Sequence, residues 1–243
     1  MKKLGVVLML AAVPILSSSS GKLAAAGANK ESKQWTERFD TSACRWSSTG
    51  RNDFFILEPG YRQVLDGREG KDRTHLEITV LNETKTLGGV ETRVVEERES
   101  KNGQLAEISR NFYADCGPGN DVFYFGEETD TYESGKVSGH EGAWAAGKGG
   151  AKAGLFMPAR PLLGARFYQE VAPGAAMDRV EVVSDSESVK TPAGSFQDCV
   201  KIEETTPLEP HAKEYKIFAR GIGTVQDEDL LLTKYGTVGA QKP

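Results

Sequence analysis

The groups from which catalysis or metal binding would have to be assembled in this chain are three histidines (His75, His140 and His211), three cysteines (Cys44, Cys116 and Cys199) and several acidic runs. His140-Glu141 resembles the opening of a helical zinc-hydrolase motif. That chemistry needs a second imidazole one helical turn on, where this chain has Trp144, and Gly139 and Gly142 oppose a helix. Ser138 and His140 would form a nucleophile and base only with an orienting carboxylate at hydrogen-bond distance, which spacing alone does not supply. The chain has no Gly-x-Ser-x-Gly elbow, no phosphate-cradling glycine loop and no Cys-x-x-Cys pair. It therefore reads as a protein that is not an enzyme, with no catalytic residues and no cofactor.

Two binding chemistries stay open. A hard cation needs several oxygen ligands converging from a turn, and Asp115, Asn120 and Asp121 are weak candidates that a solvated loop explains equally well. Aromatic residues are the better lead. Phe112-Tyr113 and Phe123-Tyr124-Phe125 fall on successive strand-like runs, with Trp144 and Phe156 in the glycine-rich stretch that follows. Neighbours along a strand face opposite ways, so one set could line a groove. Tyr113, Tyr124, Trp144 and Phe156 would then receive a lipid tail or other small apolar ligand, with Arg166 or Lys216 at its head group. Ordinary core packing of the same aromatics is the competing reading.

The elements that must position these groups are strands. Period-two patterning recurs, as in Leu76, Ile78 and Val80 alternating with His75, Glu77 and Thr79, and helical periodicity is nearly absent. Asn102-Gly103, suited to positive φ at both central positions of a tight turn, predicts a hairpin of 90–99 with 104–114. Ser134-Gly135 predicts a second. In the strand after Gly194, Phe196, Val200 and Ile202 are expected on the core face, and Gln197, Cys199, Lys201 and Glu203 on the wet face. Residues 139–161, rich in glycine and interrupted by Pro158 and Pro161, read as an ordered surface flap that cannot be a regular central strand. About eleven strands are expected in one antiparallel meander. A sheet that long must curl to bury its apolar face, as a half-barrel, a barrel or a sandwich. The favoured fold is an all-β, strongly curved half-barrel or barrel-like sheet with little helix.

The ends of the chain speak to location. Lys2-Lys3, the apolar run Leu4–Leu16 and the small residues at 24–28 have the form of a secretory signal peptide. The expected organisation is a signal peptide at 1–28, a flexible segment at 29–49, a single β domain at 50–236 and a flexible tail at 237–243, in an exported, periplasmic or extracellular protein with no membrane span. The net charge of −5 becomes more negative if Lys2, Lys3 and Lys22 are removed, which disfavours nucleic acid and anionic membrane surfaces as partners. Outside the cytoplasm one disulfide is expected. Cys116 with Cys199 is the favoured pair; the alternatives are three reduced thiols or a bridge that uses Cys44.

Several segments carry a resemblance: Thr191-Pro-Ala-Gly-Ser-Phe196, Glu203-Glu-Thr-Thr-Pro-Leu-Glu-Pro210, Glu214-Tyr-Lys216 and Gly221-Ile-Gly-Thr-Val225. Together they resemble a group of secreted bacterial β-proteins of unassigned function, over roughly residues 50–236. The arrangement is also similar, more loosely, to TapB-like domains and lipoprotein-carrier half-barrels. The resemblance implies an exported antiparallel fold and transfers no catalytic residues. Two functions are consistent with it: a non-catalytic module binding an apolar or amphipathic ligand, or a cell-envelope structural or assembly protein acting through protein contacts.

Overall fold

The computed structural model describes residues 34–238. The expected signal peptide at 1–28, positions 29–33 of the expected flexible segment and positions 239–243 of the expected tail lie outside the described residues. No helix occurs among the described residues. The strands, in chain order, are β1 (Arg45–Ser47), β2 (Arg51–Asn52), β3 (Phe55–Ile56), β4 (Tyr61–Glu69), β5 (Asp72–Leu87), β6 (Val90–Lys101), β7 (Gln104–Gly117), β8 (Asp121–Glu133) and β9 (Lys136–Gly139). They continue as β10 (Trp144–Ala145), β11 (Lys152–Met157), β12 (Arg166–Tyr168), β13 (Glu170–Val171), β14 (Arg179–Thr191), β15 (Gly194–Thr206), β16 (Glu209–Ala219), β17 (Gly223–Asp227) and β18 (Leu230–Thr237).

Local chemistry makes the hairpins. Asn102 and Gly103 adopt φ of 53° and 80° between β6 and β7, and Ser134 and Gly135 adopt 51° and 75° between β8 and β9. Both turns fall where the sequence places them, because few residue pairs tolerate positive φ twice in succession.

Thirteen strands form the main path, in the order β12-β14-β15-β16-β17-β18-β4-β5-β6-β7-β8-β11-β13. Its two end strands, β12 and β13, are consecutive in the chain and separated only by Gln169. The stretch Arg166–Val171 therefore pairs with β14 through its first half and with β11 through its second, so that the sheet is a nearly closed antiparallel barrel. Gly154 makes this approach possible: a Cβ there would lie 2.5 Å from the carbonyl oxygens of both Tyr168 and Gln169. Closure also removes the exposed edges that an open sheet would present.

Three expectations are corrected. β11 is a full member of the barrel wall although it lies inside the expected flap; the turn glycines Gly147, Gly149 and Gly150, at positive φ, precede it rather than interrupt it. Residues 34–49 are not a loose entry: β1 pairs with the end of β7, and Phe39 and Trp46 pack edge-on against Phe123. The disulfide joins Cys44 to Cys116, and Cys199 is a free, buried thiol. Cys116 and Cys199 cannot meet because β7 and β15 lie on opposite sides of the barrel, with six strands between them along the path. Closing a loop across a sequence separation of 72, the observed bridge stabilises the fold by about 4 kcal/mol on the chain-entropy model.

Candidate binding site

Four aromatics singled out by the sequence do come together. Tyr113 and Tyr124 stack at 4.8 Å between ring centroids, Trp144 stands edge-on to Tyr124 at 5.1 Å, and Phe156 lies 4.7 Å from Tyr113. Phe55 completes the group against Tyr113 and Phe156. All four are buried, so their faces are taken up by one another. The Tyr124 hydroxyl donates to Asn111 Oδ1 at 2.6 Å, and Asn111 Nδ2 donates to Ser109 Oγ at 3.1 Å.

Next to this cluster the barrel interior is acidic, which the sequence reading missed. The buried Tyr113 hydroxyl is held well above its ordinary pKa, first by burial and then by the carboxyls of Glu97, Glu127, Glu170 and Glu204. Those four residues belong to β6, β8, β13 and β15, strands spread around the wall, and only a common interior brings them to one hydroxyl. Lys216 is the cation among them. Its Nζ donates to both oxygens of Glu204, at 3.2 and 3.1 Å, and Glu204, Asp227 and Glu214 hold its pKa well above the ordinary value against the opposing effect of burial.

Burial drives three carboxyls of this region, Glu170, Asp178 and Glu214, toward the protonated form. Glu170 is pushed well above the carboxylate range by desolvation and by Asp178. Asp178 is raised to about 7, again by desolvation and then by Glu204, and Glu214 is raised to about 7 chiefly by desolvation. Glu170 Oε1 accepts the Asp178 backbone N–H at 2.7 Å, while its buried Oε2 has no hydrogen-bond partner in the structure. A buried carboxyl without compensating charge or hydrogen bonds is cheaper neutral than ionised.

On the outer face, β8 presents the other side of its alternation. Phe123 and Phe125 form the floor of a groove whose wall is Phe39, Trp46 and Val90, with Trp46 edge-on to both phenylalanines. Its rim carries Arg38 and the pair Lys152–Glu37, 3.4 Å apart. The cavity volume is about 680 Å³, within the usual range for small-molecule sites. The segment preceding β1 supplies one side and β11 the other, so the groove exists only because the disulfide-tethered segment lies across the barrel. Sequence analysis had named Phe123 and Phe125 but not Phe39 or Trp46, since nothing local shows where an N-terminal segment will dock.

The remaining candidates are dispersed. Arg166 donates to Glu181 at 2.8 Å and Lys216 to Glu204, so both head-group candidates are already paired. Asp115 is buried, and burial together with Asp121 raises its pKa. Asp121 Oδ1 accepts the Ala159 N–H at 2.8 Å, and the Asn120 carbonyl accepts from Asn52 at 2.7 Å. Among the described residues no group of three or more His, Cys, Asp or Glu side chains is placed to hold a metal ion. His75 pairs with Asp66 at 2.7 Å and His140 with Asp130 at 2.8 Å, while Ser138 is bonded to Thr131. No helix among the described residues is long and apolar enough to cross a membrane.

No family model matches the chain, and no curated protein matches it. Among solved structures the chain is similar to one described as a "putative lipoprotein" from Parabacteroides distasonis ATCC 8503, at 13% identity and a TM-score of 0.39, over 77% of this chain and 100% of that one.

Proposed function

We propose that this chain is an exported, non-catalytic binding module that seats an amphipathic molecule in the outer groove, with its apolar part on Phe39, Trp46, Phe123 and Phe125 and its head group at Arg38 and Lys152. The observation that carries this reading is the groove itself, in which the half-buried Phe39, Trp46 and Val90 stand over the buried rings of Phe123 and Phe125 and charged side chains form the rim. The part of Phe39 and Trp46 that stays in water is apolar surface that an amphipathic guest would cover. The signal-like N-terminus and the disulfide support an oxidising location outside the cytoplasm. Relative to the sequence-based expectation, the apolar ligand moves from a groove lined by Tyr113, Tyr124, Trp144 and Phe156 to the outside of β8, because those aromatics are occupied with one another.

The test is a fluorescence titration with N-phenyl-1-naphthylamine followed by displacement with a long-chain fatty acid. Wild type is expected to bind the probe and release it to the fatty acid, and Val90→Arg, which fills the groove from its wall, is expected to bind neither. Equal binding by wild type and Val90→Arg would refute the assignment. A second reading, an envelope assembly protein, rests on Leu162 and Leu163, which are 68% and 64% exposed side by side in the turn before β12. Concentration-dependent association lost on Leu162→Ser/Leu163→Ser, with no probe binding, would favour it.

A further inference from the structure

The groove borders the short ladder that carries Glu170. Ala153, which lines the groove, is the register partner of Glu170, and Lys152 on the rim is the partner of Val171. On the other side, the Thr36 N–H donates to the Arg166 carbonyl at 3.0 Å and the Tyr168 N–H donates to the Thr36 carbonyl at 2.9 Å. Thr36 thus straps the segment that leads into Glu37, Arg38 and Phe39 onto the same stretch of chain. Trp35 adds to the strap, with the Arg179 guanidinium 4.5 Å from its ring.

That stretch is the seam of the barrel, and it is thinly held. β11 and β13 pair only at Lys152–Val171 and Ala153–Glu170, and β12 and β14 only at three positions, whereas β5 and β6 pair from Thr74–Lys101 to Leu87–Val90. Short ladders with little redundancy are where a fold opens first. The seam also carries the most deeply buried carboxyl of the interior. Glu170 is under the influence of Asp178 beside the seam, Glu204 from β15 and Glu127 from β8; Asp178 is under that of Glu204, Glu170 and Glu127 and of the Lys216 cation from β16. Lys216 is itself divided among Glu204, Asp227 and Glu214.

We propose that the outer groove is gated by protons held by the adjoining Glu170 and Asp178 inside the barrel: with the pair protonated the seam Arg166–Val171 stays closed and the groove holds its ligand, and as the pair gives up a proton its repulsion by Glu204 and Glu127 loosens the seam, unseats the strap and releases the ligand. The inference rests on the groove reading above for its ligand, but the seam itself can be observed without one. No step beyond proton exchange with solvent is required. The sign follows from burial, since among the described residues Lys216 is the one buried lysine beside several buried carboxyls, and ionisation of each further carboxyl adds like charge in a low-dielectric space. The module therefore holds its guest in mildly acidic surroundings and yields it in mildly alkaline ones.

Hydrogen exchange followed by mass spectrometry on the unliganded full-length protein reads the seam, and N-phenyl-1-naphthylamine titration reads the groove, each at about pH 6 and about pH 8. After correction for intrinsic exchange, protection of residues 35–39 and 166–171 is expected to fall about tenfold or more over that range relative to β5 and β6, and probe affinity is expected to fall with it. Asp178→Asn, and separately Glu170→Gln, should flatten both responses. Should one of these fail to fold, the other, with the wild-type pH comparison, still decides. Seam protection that tracks β5 and β6 at both pH values overturns the gate. Loss of seam protection at pH 8 with no probe binding at either pH upholds the proton-driven seam and refutes the groove as its client.

Discussion

The inside and outside of this barrel use the same ionisable residues to opposite effect. On the outer surface Arg110 meets Glu96 at 3.1 Å, Arg51 meets Glu58 at 2.5 Å and Lys85 meets Glu128, each with at least one partner well exposed to water. Such pairs contribute little, because water already solvates both charges and holding two long side chains together costs entropy. Inside, Lys216 and Glu204 are 9% and 7% exposed, and the charges around them do not cancel. There the balance of charge, rather than the number of contacts, sets stability, and protons supply the positive charge that side chains do not.

Removing the interior cation should have the largest effect. Lys216→Met leaves Glu204 with neither its ion pair nor water, and a loss of about 3–5 kcal/mol is expected in urea unfolding at neutral pH. A smaller loss at acidic pH is part of the same expectation, because protonated neighbours need no counter-charge. A loss as small as that of a surface pair would mean that the interior is wet.

The pH dependence of stability comes next. Asp178 and Glu214 have folded-state pKa values raised to about 7 from ordinary values of 3.8 and 4.5. Between those values the folded state holds protons that the unfolded chain has lost, so stability falls as pH rises through the window and the full penalty is present above it. Wild type should be more stable near pH 5 than near pH 8, and Asp178→Asn should recover about 3 kcal/mol at the higher pH while changing little at the lower. Thermal unfolding across that range checks both; maximal stability at alkaline pH would contradict the acid-filled interior. At the small end, Arg110→Ala should cost less than about 1 kcal/mol and lose even that in high salt.

How much of this was legible in the chain depends on the distance over which each feature is decided. Asn102-Gly103 and Ser134-Gly135 make their turns from their own backbone preferences, and the tyrosines at 113 and 124 are aligned by the β7–β8 hairpin, whose turn carries Asn120 at φ 66°. The face of Cys199 was not legible. Asp198 takes φ of 52°, a local irregularity that breaks the alternation, so the thiol expected on the wet face is fully buried with Val189 and Ile217. The interior carboxyls were hidden for a related reason. Glu127, Glu170, Glu204 and Glu214 sit in strands where an alternating polar residue reads as facing water, and whether that side is water or lumen is settled only when β12 and β13 bring the ends of the sheet together.

Sequence by itself determined the all-β antiparallel character, the two hairpin turns and the presence of an aromatic cluster on β7 and β8, because period-two burial and positive-φ turns are properties of residues a few positions apart. It did not determine the number of strands, eighteen among the described residues against about eleven expected. Tertiary structure alone decided that the sheet closes, that Cys44 rather than Cys199 meets Cys116, and that carboxyls from distant strands share one buried space around Lys216. Those outcomes depend on which residues meet after a long sheet has curled through a full turn, and no local spacing encodes them.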